Sequence, residues 1–583
     1  MEYEQEENPT ETNWEGYVDW RGKPAVRRRH GGFLAASFVL VVEVMENLAY
    51  LANASNLVLY LLDYMHFSPS RSSNTVTSFM GTAFLLALVG GFLSDAFFTT
   101  FQIYLSSAFV EFVGLIILTL QAHSRSLQPP RCGSANPAEP CREPSTGQAA
   151  TLYIGLYLVA AGVGGIKGSL PTHGAEQFDE SMPKGRIQRS TFFNYFVFCL
   201  SCGGLIAVTF VVWLEDNKGW QWGFFISTLS ILLSIPVFLA GSAFYRNKIP
   251  DGSPFTTILK VFIAATINCC LTKSSSNAVS SMVVSPACAS EKIKGNEGKY
   301  KETDTLEIQT DGIKFLNKAV ENKPVYAALE CTIKEVEEVK VVMKILPIFA
   351  SAIILNCCLA QLSTFSVQQA ATMDTKFGSL KIPPASLPVF PILIIMVLAP
   401  VYDHLIIPFV RRITRTETGI SHLQRIGTGL GLSIVAMGAA ALVEIKRKRI
   451  ATQTGMLDSS NPLPITFLFL AFQYALLGSA DLFTLAGMLE FFFTEAPSSM
   501  RSLATSLSWA SLAVGYYLSS VIISIVNDAT GGSNHKPWLS GSNINHYHLE
   551  RFYWLLCILS ALNFINYLFW ARRYNYRSTG SRT

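Results

Sequence analysis

Apolar residues come in long runs along the chain, separated by short polar links, and twelve such blocks stand out. They lie near 32–62, 75–98, 101–123, 149–172, 191–214 and 221–245, then 341–365, 386–410, 421–445, 463–493, 502–527 and 550–572. Each is long enough to cross the roughly 30 Å hydrocarbon core of a bilayer as a helix. The pattern therefore predicts an all-α membrane protein in two bundles of six transmembrane helices, residues 31–245 and 341–574, with end tails at 1–30 and 575–583.

Between the bundles lies a polar stretch, 246–340, holding the low-complexity "KSSSNAVSSMVVS" and the charged "EKIKGNEGKYKETD". It reads as a partly disordered cytosolic linker. Two pieces of it should be ordered. "PFTTILKVFIAATINCC" has an apolar face interrupted by Lys260 and is expected to lie along the membrane surface. "LECTIKEVEEVKVVMKILP" has helical spacing and should lead into the seventh span. Two six-span bundles joined by such a linker is the architecture of the major facilitator fold, where substrate sits between halves that rock.

Composition fits this reading, with half of the residues hydrophobic, 12% aromatic and only 15% charged. A soluble protein would lack polar surface to cover that core. The +4 net charge is spread over loops, so a nucleic-acid partner has no basic patch to use. The basic groups Arg27-Arg28-Arg29, Lys184/Arg186/Arg189, Arg411/Arg412/Arg415 and Arg572/Arg573 fall on one side of a twelve-span model, which places both termini in the cytosol. The cluster from Lys446 to Arg449 disagrees, since it follows the ninth span. The N-terminal tail lacks the short apolar core of a removable signal, so the first span is expected to direct insertion itself.

Ionisable residues inside a membrane are costly, and each is a functional hypothesis. Glu43 and Glu46 in "VLVVEVMENLAYLANASN" are three residues apart and share a helix face, where two carboxylates in low dielectric should not both ionise. One should hold a proton near neutral pH, as a proton carrier must; a structural pair bonded to Asn47, Tyr50 or Asn53 is the alternative. Lys167 stands among small residues in the fourth span and Asp481 likewise in the tenth. A bridge between them across the central cavity, made in one conformation and broken in another, would be a bistable element. Glu111 has no nameable partner and reads as structural, while Asp403, Glu444, Glu490 and Glu495 lie near span ends and read as solvated. Asn356, Gln361, Ser363 and Gln368 in the seventh span, with Trp509 and Tyr516 in the eleventh, could line a polar and aromatic cavity or simply join helices. Cys132 and Cys141 could form a disulfide if their loop faces an oxidising side, whereas "CLSC" at Cys199–Cys202 lacks further ligands. "AAGVGGIKG" and "GTGLGLS" lack the context of nucleotide loops and fit close helix packing. No zinc pattern, nucleophile elbow or triad appears, so an enzyme, a metal and a cofactor are not expected.

"GAEQFDE" after the fourth span, "FFNYFVF" in the fifth, "IPPASLPVF" entering the eighth and "LLGSADLFTLAGMLEFFFTEAPSSMRS" through the tenth resemble the plant nitrate and peptide transporter family. This family is part of the proton-coupled oligopeptide transporter group, and the similarity runs over nearly the whole chain. The nearest likeness is to the branch of abscisic acid importers, one of which is also described as a low-affinity nitrate transporter. The resemblance implies a plasma-membrane symporter driven by the proton gradient, importing abscisic acid, with nitrate or another hormone carboxylate such as a gibberellin as the alternative. A channel or a transport-inactive receptor is the reading from another class, and regulatory kinases are a partner class the resemblance allows. It implies proton coupling by Glu43, Glu46, Lys167 and Asp481 and a ligand met by Lys167 and Leu359; together with the residues read above as a cavity lining and the first-span tyrosine, the expected substrate contacts are Lys167, Tyr50, Asn356, Leu359, Gln361 and Trp509. The family's first-span motif continues with a cation where this chain has Asn47, so the carboxylates lack an attractive charge. Where the family's best-known nitrate carrier has a histidine before Ala-Gln-Leu, this chain has Leu359, and that carrier's regulatory threonine aligns with Ile103. A larger, partly apolar anion fits that change.

Overall fold

A computed structural model describes residues 13–67, 69–130, 143–275, 313–321, 329–377, 380–381, 386–414, 419–458, 461–531, 537–539 and 544–576. Among the described residues twelve helices are long and apolar enough to cross a membrane. The first six are α1 (Gly32–Tyr64), α2 (Asn74–Ala96), α3 (Thr100–His123), α4 (Thr146–Ala175), α5 (Pro183–Lys218) and α6 (Trp220–Gly241). Among the described residues two further helices follow, α7 (Pro254–Ser275) and α8 (Lys314–Glu321). The last six are α9 (Ile333–Ala371), α10 (Val389–Thr414), α11 (His422–Gln453), α12 (Leu468–Glu495), α13 (Ser498–Thr530) and α14 (Leu549–Arg573).

Local sequence sets where several of these helices start. Thr99 with Gln102, Ser145 with Gln148 and Ser421 with Gln424 form reciprocal capping boxes at the heads of α3, α4 and α11. Pro183 opens α5 at a position where its missing N–H costs nothing, extending that span eight residues earlier than the apolar block at 191. The tenth span begins late for a complementary reason. Pro462 and Pro464 keep Leu463–Thr466 extended, and this strand pairs in parallel with Met373–Asp374 just after α9.

Packing explains the glycine-rich run in α4. A Cβ added to Gly168 would lie 2.4 Å from the carbonyl oxygen of Ala87, so α2 approaches the α4 backbone more closely than any side chain would allow. One buried cluster fills the first bundle and continues into Ile395 and Ala399 of α10, Leu489 and Phe493 of α12, and Trp509 and Ala513 of α13. A second lies within α9, α11, α12 and α14.

The terminal face, where α1 begins and α14 ends, carries a small sheet, with Asn13–Val18 paired to Pro24–Val26 on one side and Asn247–Lys248 on the other. Trp14 and Tyr17 of this sheet clamp the guanidinium of Arg246 at 4.0 and 4.6 Å. Residues 253–344 form a separate compact unit. In it α7, α8 and the first turns of α9 bury Val261, Ala265, Leu316, Val336 and Val339 together. Lys260, the charge that interrupts the apolar face of α7, pairs with Glu335 at 3.0 Å. Phe255, Leu259 and Ile263 form an exposed stripe on α7. Most of the low-complexity and charged linker sequence, residues 276–312, lies outside the described residues, as do Cys132 and Cys141.

Candidate functional site

The i, i+3 spacing on α1 turns Glu43 and Glu46 toward α4, whose glycines let the neighbouring helices close around Lys167. The lysine is 1% exposed and the two carboxylates 0%. Its Nζ donates to Glu43 Oε1 at 2.7 Å and to Glu46 Oε2 at 2.5 Å. Charge-assisted bonds of this length in a dry interior are strong, and losing either partner leaves a buried charge exposed to low dielectric. Two acids share one cation, and the outer oxygens, Glu43 Oε2 and Glu46 Oε1, are buried without a hydrogen-bond partner among the described residues. Asn47, standing where the family motif has a cation, turns away: its Nδ2 donates to the Leu200 carbonyl on α5 at 2.7 Å.

The second bundle reaches this site through Trp509 of α13, whose ring centre lies 5.1 Å from Lys167 Nζ. Phe84 of α2 stacks on that indole at 5.8 Å and 5°, and Tyr50 of α1 meets Phe84 edge-on at 5.6 Å. The Tyr50 hydroxyl and the Trp509 Nε1 are buried and have no acceptor among the described residues. A cation, an aromatic wall and two free donors together can receive an organic anion, charge toward the lysine and ring toward the indole.

The expected bridge between Lys167 and Asp481 is not formed in this conformation. Two carboxylates of the lysine's own bundle hold it, and Asp481 on α12 is half-buried with no hydrogen-bond or ion-pair partner among the described residues.

The seventh-span residues divide. α9 breaks at Gln361–Ser363 and resumes at Phe365, beside the half-buried Leu359. Asn356 Nδ2 donates to Ser511 Oγ at 3.0 Å and Gln361 Nε2 to Ser519 Oγ at 2.9 Å, so both tie α9 to α13. Ser363 and Gln368 are exposed.

Three acids expected to be solvated are buried instead. Glu444 receives both guanidinium arms of Arg447 at 2.8 and 2.7 Å, and Arg447 also donates to Thr372 and Asn545. Glu490 faces His422 at 3.6 Å and Arg425 at 3.7 Å, and Glu495 accepts from the Tyr574 hydroxyl at 3.0 Å. Asp403 is half-buried and accepts from Asn194 of the other bundle at 2.8 Å. Position near a span end does not say which way a side chain points, and apart from Arg447, one turn along α11 from Glu444, the partners lie elsewhere in the chain. Most of the discordant basic cluster is engaged in contacts: Arg447 is buried in this network, Lys448 donates to the Tyr547 carbonyl at 2.7 Å, and Lys446 sits 3.7 Å over the Phe469 ring, while Arg449 is exposed.

Sequence reasoning also passed over a set of ties at the terminal face. Glu180, in the loop after α4, holds Arg189 of α5 at 3.3 Å and Arg501 of α13 at 2.5 Å. Burial pushes the Glu180 carboxyl up, but Arg501 and Arg189 outweigh it and hold the group below its ordinary range. Asp95 at the end of α2 accepts from the backbone N–H groups of Ser502 and Leu503, 3.1 and 2.8 Å away, at the positive start of α13. Lys248 donates to the Ser498 carbonyl, and Arg189 to Thr494 at 3.2 Å. Only "GAEQFDE", which contains Glu180, and the "MRS" that contains Arg501 hinted at these ties.

Residues 101–539 match the family model described as "POT family". Protein NRT1/ PTR FAMILY 4.6 of Arabidopsis thaliana is 68% identical, with 100% of each chain covered, and Protein NRT1/ PTR FAMILY 4.5 of the same plant is 63% identical, with 98% of each covered. Among solved structures, an auto inhibited POT family peptide transporter superposes with a TM-score of 0.60 at 17% identity, over 94% of this chain and 99% of that one.

Proposed function

This chain belongs to the POT family, a family of transporters and not of enzymes, and on that premise we propose that it is a proton-coupled plasma-membrane importer of abscisic acid working by alternating access. The observation that carries this reading is the buried Lys167 held by Glu43 and Glu46 and faced by Trp509 from the opposite bundle. Protons arriving from the acidic side neutralise the two carboxylates and release the lysine. A substrate carboxylate then takes their place at Nζ, with its ring against Trp509, Phe84 and Tyr50. Asp481 is the acid of the second bundle that competes for Lys167 on the return step. Asn356 and Gln361 set the position of α9 against α13, so that Leu359 meets the apolar part of the ligand.

An amphipathic carboxylate suits this wall better than nitrate, a small hydrated ion that gains little from an indole and a leucine. Nitrate, or a larger hormone acid such as a gibberellin, is the second reading. Both termini lie in the cytosol on this reading, which the basic groups at Arg27–Arg29 and Arg572–Arg573 on the terminal face support and which Arg447 and Lys448 of the discordant cluster, engaged in contacts of their own, do not oppose. The apolar stripe of α7 fits a helix resting on the bilayer surface.

The test is uptake of labelled abscisic acid by cells expressing the protein, at acidic and neutral external pH, with nitrate as competitor. Uphill accumulation at acidic pH that nitrate does not suppress is expected. Accumulation of nitrate alone favours the second reading, and flux without uphill accumulation favours a channel. Lys167→Ala should abolish the pH-driven component at unchanged surface abundance; normal uptake by that variant would remove the lysine from the scheme.

A further inference from the structure

Glu111 on α3 is a buried acid that the coupling scheme leaves unused. It is 0% exposed, and neither carboxyl oxygen has a hydrogen-bond partner among the described residues. At this point α3 and α4 are in close approach, because a Cβ on Gly162 of α4 would fall 2.4 Å from the Cβ and 2.6 Å from the backbone N of Glu111. An unsatisfied acid enclosed at this depth incurs an electrostatic cost, which is the mark of a functional group.

Lys167 follows Gly162 by five residues on α4 and is bonded to Glu46 of α1, and Tyr104 precedes Glu111 by seven residues on α3 and is bonded to Ser234 of α6. α6, also packed on α3, has no titratable side chain between Trp220 and Gly241. Asp95 of α2 is engaged with the start of α13, and His173 of α4 is bonded to Thr100 at the far start of α3. Lys248 of the terminal-face sheet, near that same end, is held by Asp251. The centre of the first bundle thus contains three acids, Glu43, Glu46 and Glu111, against the single cation Lys167. If all ionised, two negative charges would be left over in low dielectric, at a cost of several kcal/mol each. Asn47 adds no positive charge to offset them.

We propose that Glu111 is a third proton-bearing group of the transport cycle, exchanging its proton with Glu46 when Lys167 leaves the first-span pair. The inference rests on the reading that this pair couples transport to protons. While Lys167 bridges Glu43 and Glu46, Glu111 holds a proton. When the lysine moves, the O–H bond on Glu111 breaks, an O–H bond forms on Glu46, and the Glu111 carboxylate faces the uncompensated ammonium. A substrate carboxylate arriving at Lys167 displaces that countercharge, and Glu111 takes up a proton from the acidic side. The proton that neutralises Glu46 thus enters by way of Glu111, so without Glu111 one of the two protons taken up with each substrate is lost.

The test compares wild type, Glu111→Gln and Glu46→Gln in proteoliposomes, measuring proton influx against uptake of labelled abscisic acid and, in parallel, labelled nitrate. The amide introduced by Glu111→Gln keeps the shape of the side chain and cannot release a proton, so the proton-to-substrate ratio should fall by one. The limiting accumulation should then fall about tenfold per pH unit of gradient. A wild-type ratio and pH profile in Glu111→Gln, alongside a flattened profile in Glu46→Gln, would overturn the role of Glu111 and leave the coupling pair standing. Wild-type behaviour in both variants, or no proton flux with either substrate, would overturn the coupling scheme and this inference together. Should Glu111→Gln fail to reach the membrane, Glu111→Asp keeps an acid at altered reach. It must then shift the pH midpoint of uptake, and an unshifted midpoint would refute the role.

Discussion

Replacing Trp509 by leucine isolates the contact through which the second bundle meets the charged centre of the first. The indole lies 5.1 Å from Lys167 Nζ, is stacked on Phe84 at 5.8 Å and is 3% exposed. A desolvated cation–π contact contributes about 2 kcal/mol and the aromatic pair about 1 kcal/mol beyond area burial. Leucine keeps much of the apolar volume and neither specific term, so the tied arrangement of the bundles should lose about 2–3 kcal/mol relative to any arrangement in which α13 has moved off α4. That shifts the ratio of the two populations about 30- to 150-fold. Spin labels at Met182→Cys, exposed before α5, and Ile413→Cys, exposed near the end of α10, report the separation of the bundles at the terminal face. Trp509→Leu should move much of the distance distribution to longer values, and Trp509→Phe should recover the stacking and most of the wild-type distribution. A Leu variant whose distances and uptake pH profile both match wild type would refute the claim that this contact biases the equilibrium.

Arg447→Met leaves Glu444 buried without its bidentate partner and should cost about 3–5 kcal/mol of stability, read as a lowered Tm in detergent; adding Glu444→Leu should restore much of it, and an unaffected Tm would deny the pair any part in holding α9, α11 and α14 together. Glu180 is held below its ordinary range, so its contribution is full at neutral pH, above the unfolded value, and is lost as pH falls through the folded one. The Tm gap between wild type and Glu180→Gln should therefore be largest near pH 7 and close as the pH falls below the ordinary glutamate range; a gap that widens with acid contradicts the assignment.

Much of this molecule is determined by sequence alone, because crossing a bilayer imposes a length and a composition that local pattern records directly. The twelve apolar blocks, the two sets of six, and the placement of Glu43, Glu46, Lys167 and Asp481 inside them needed no coordinates. The capping residues Thr99, Ser145 and Ser421 are legible for the same reason, since their partners lie three residues away. Partnership over long separations was not legible. Lys167 and Glu43 are 124 positions apart, and only the packing of α1 on α4 decides that the lysine rests there and not on Asp481. Likewise the sequence placed Glu444 and Glu490 near span ends, but helix rotation buried them, Glu490 beside Arg425 of α11 and Glu444 beside Gln369 of α9 as well as Arg447 of its own helix. Period and hydropathy are properties of one segment; which side chain meets which is a property of how segments rotate and cross, and that was settled only by tertiary structure.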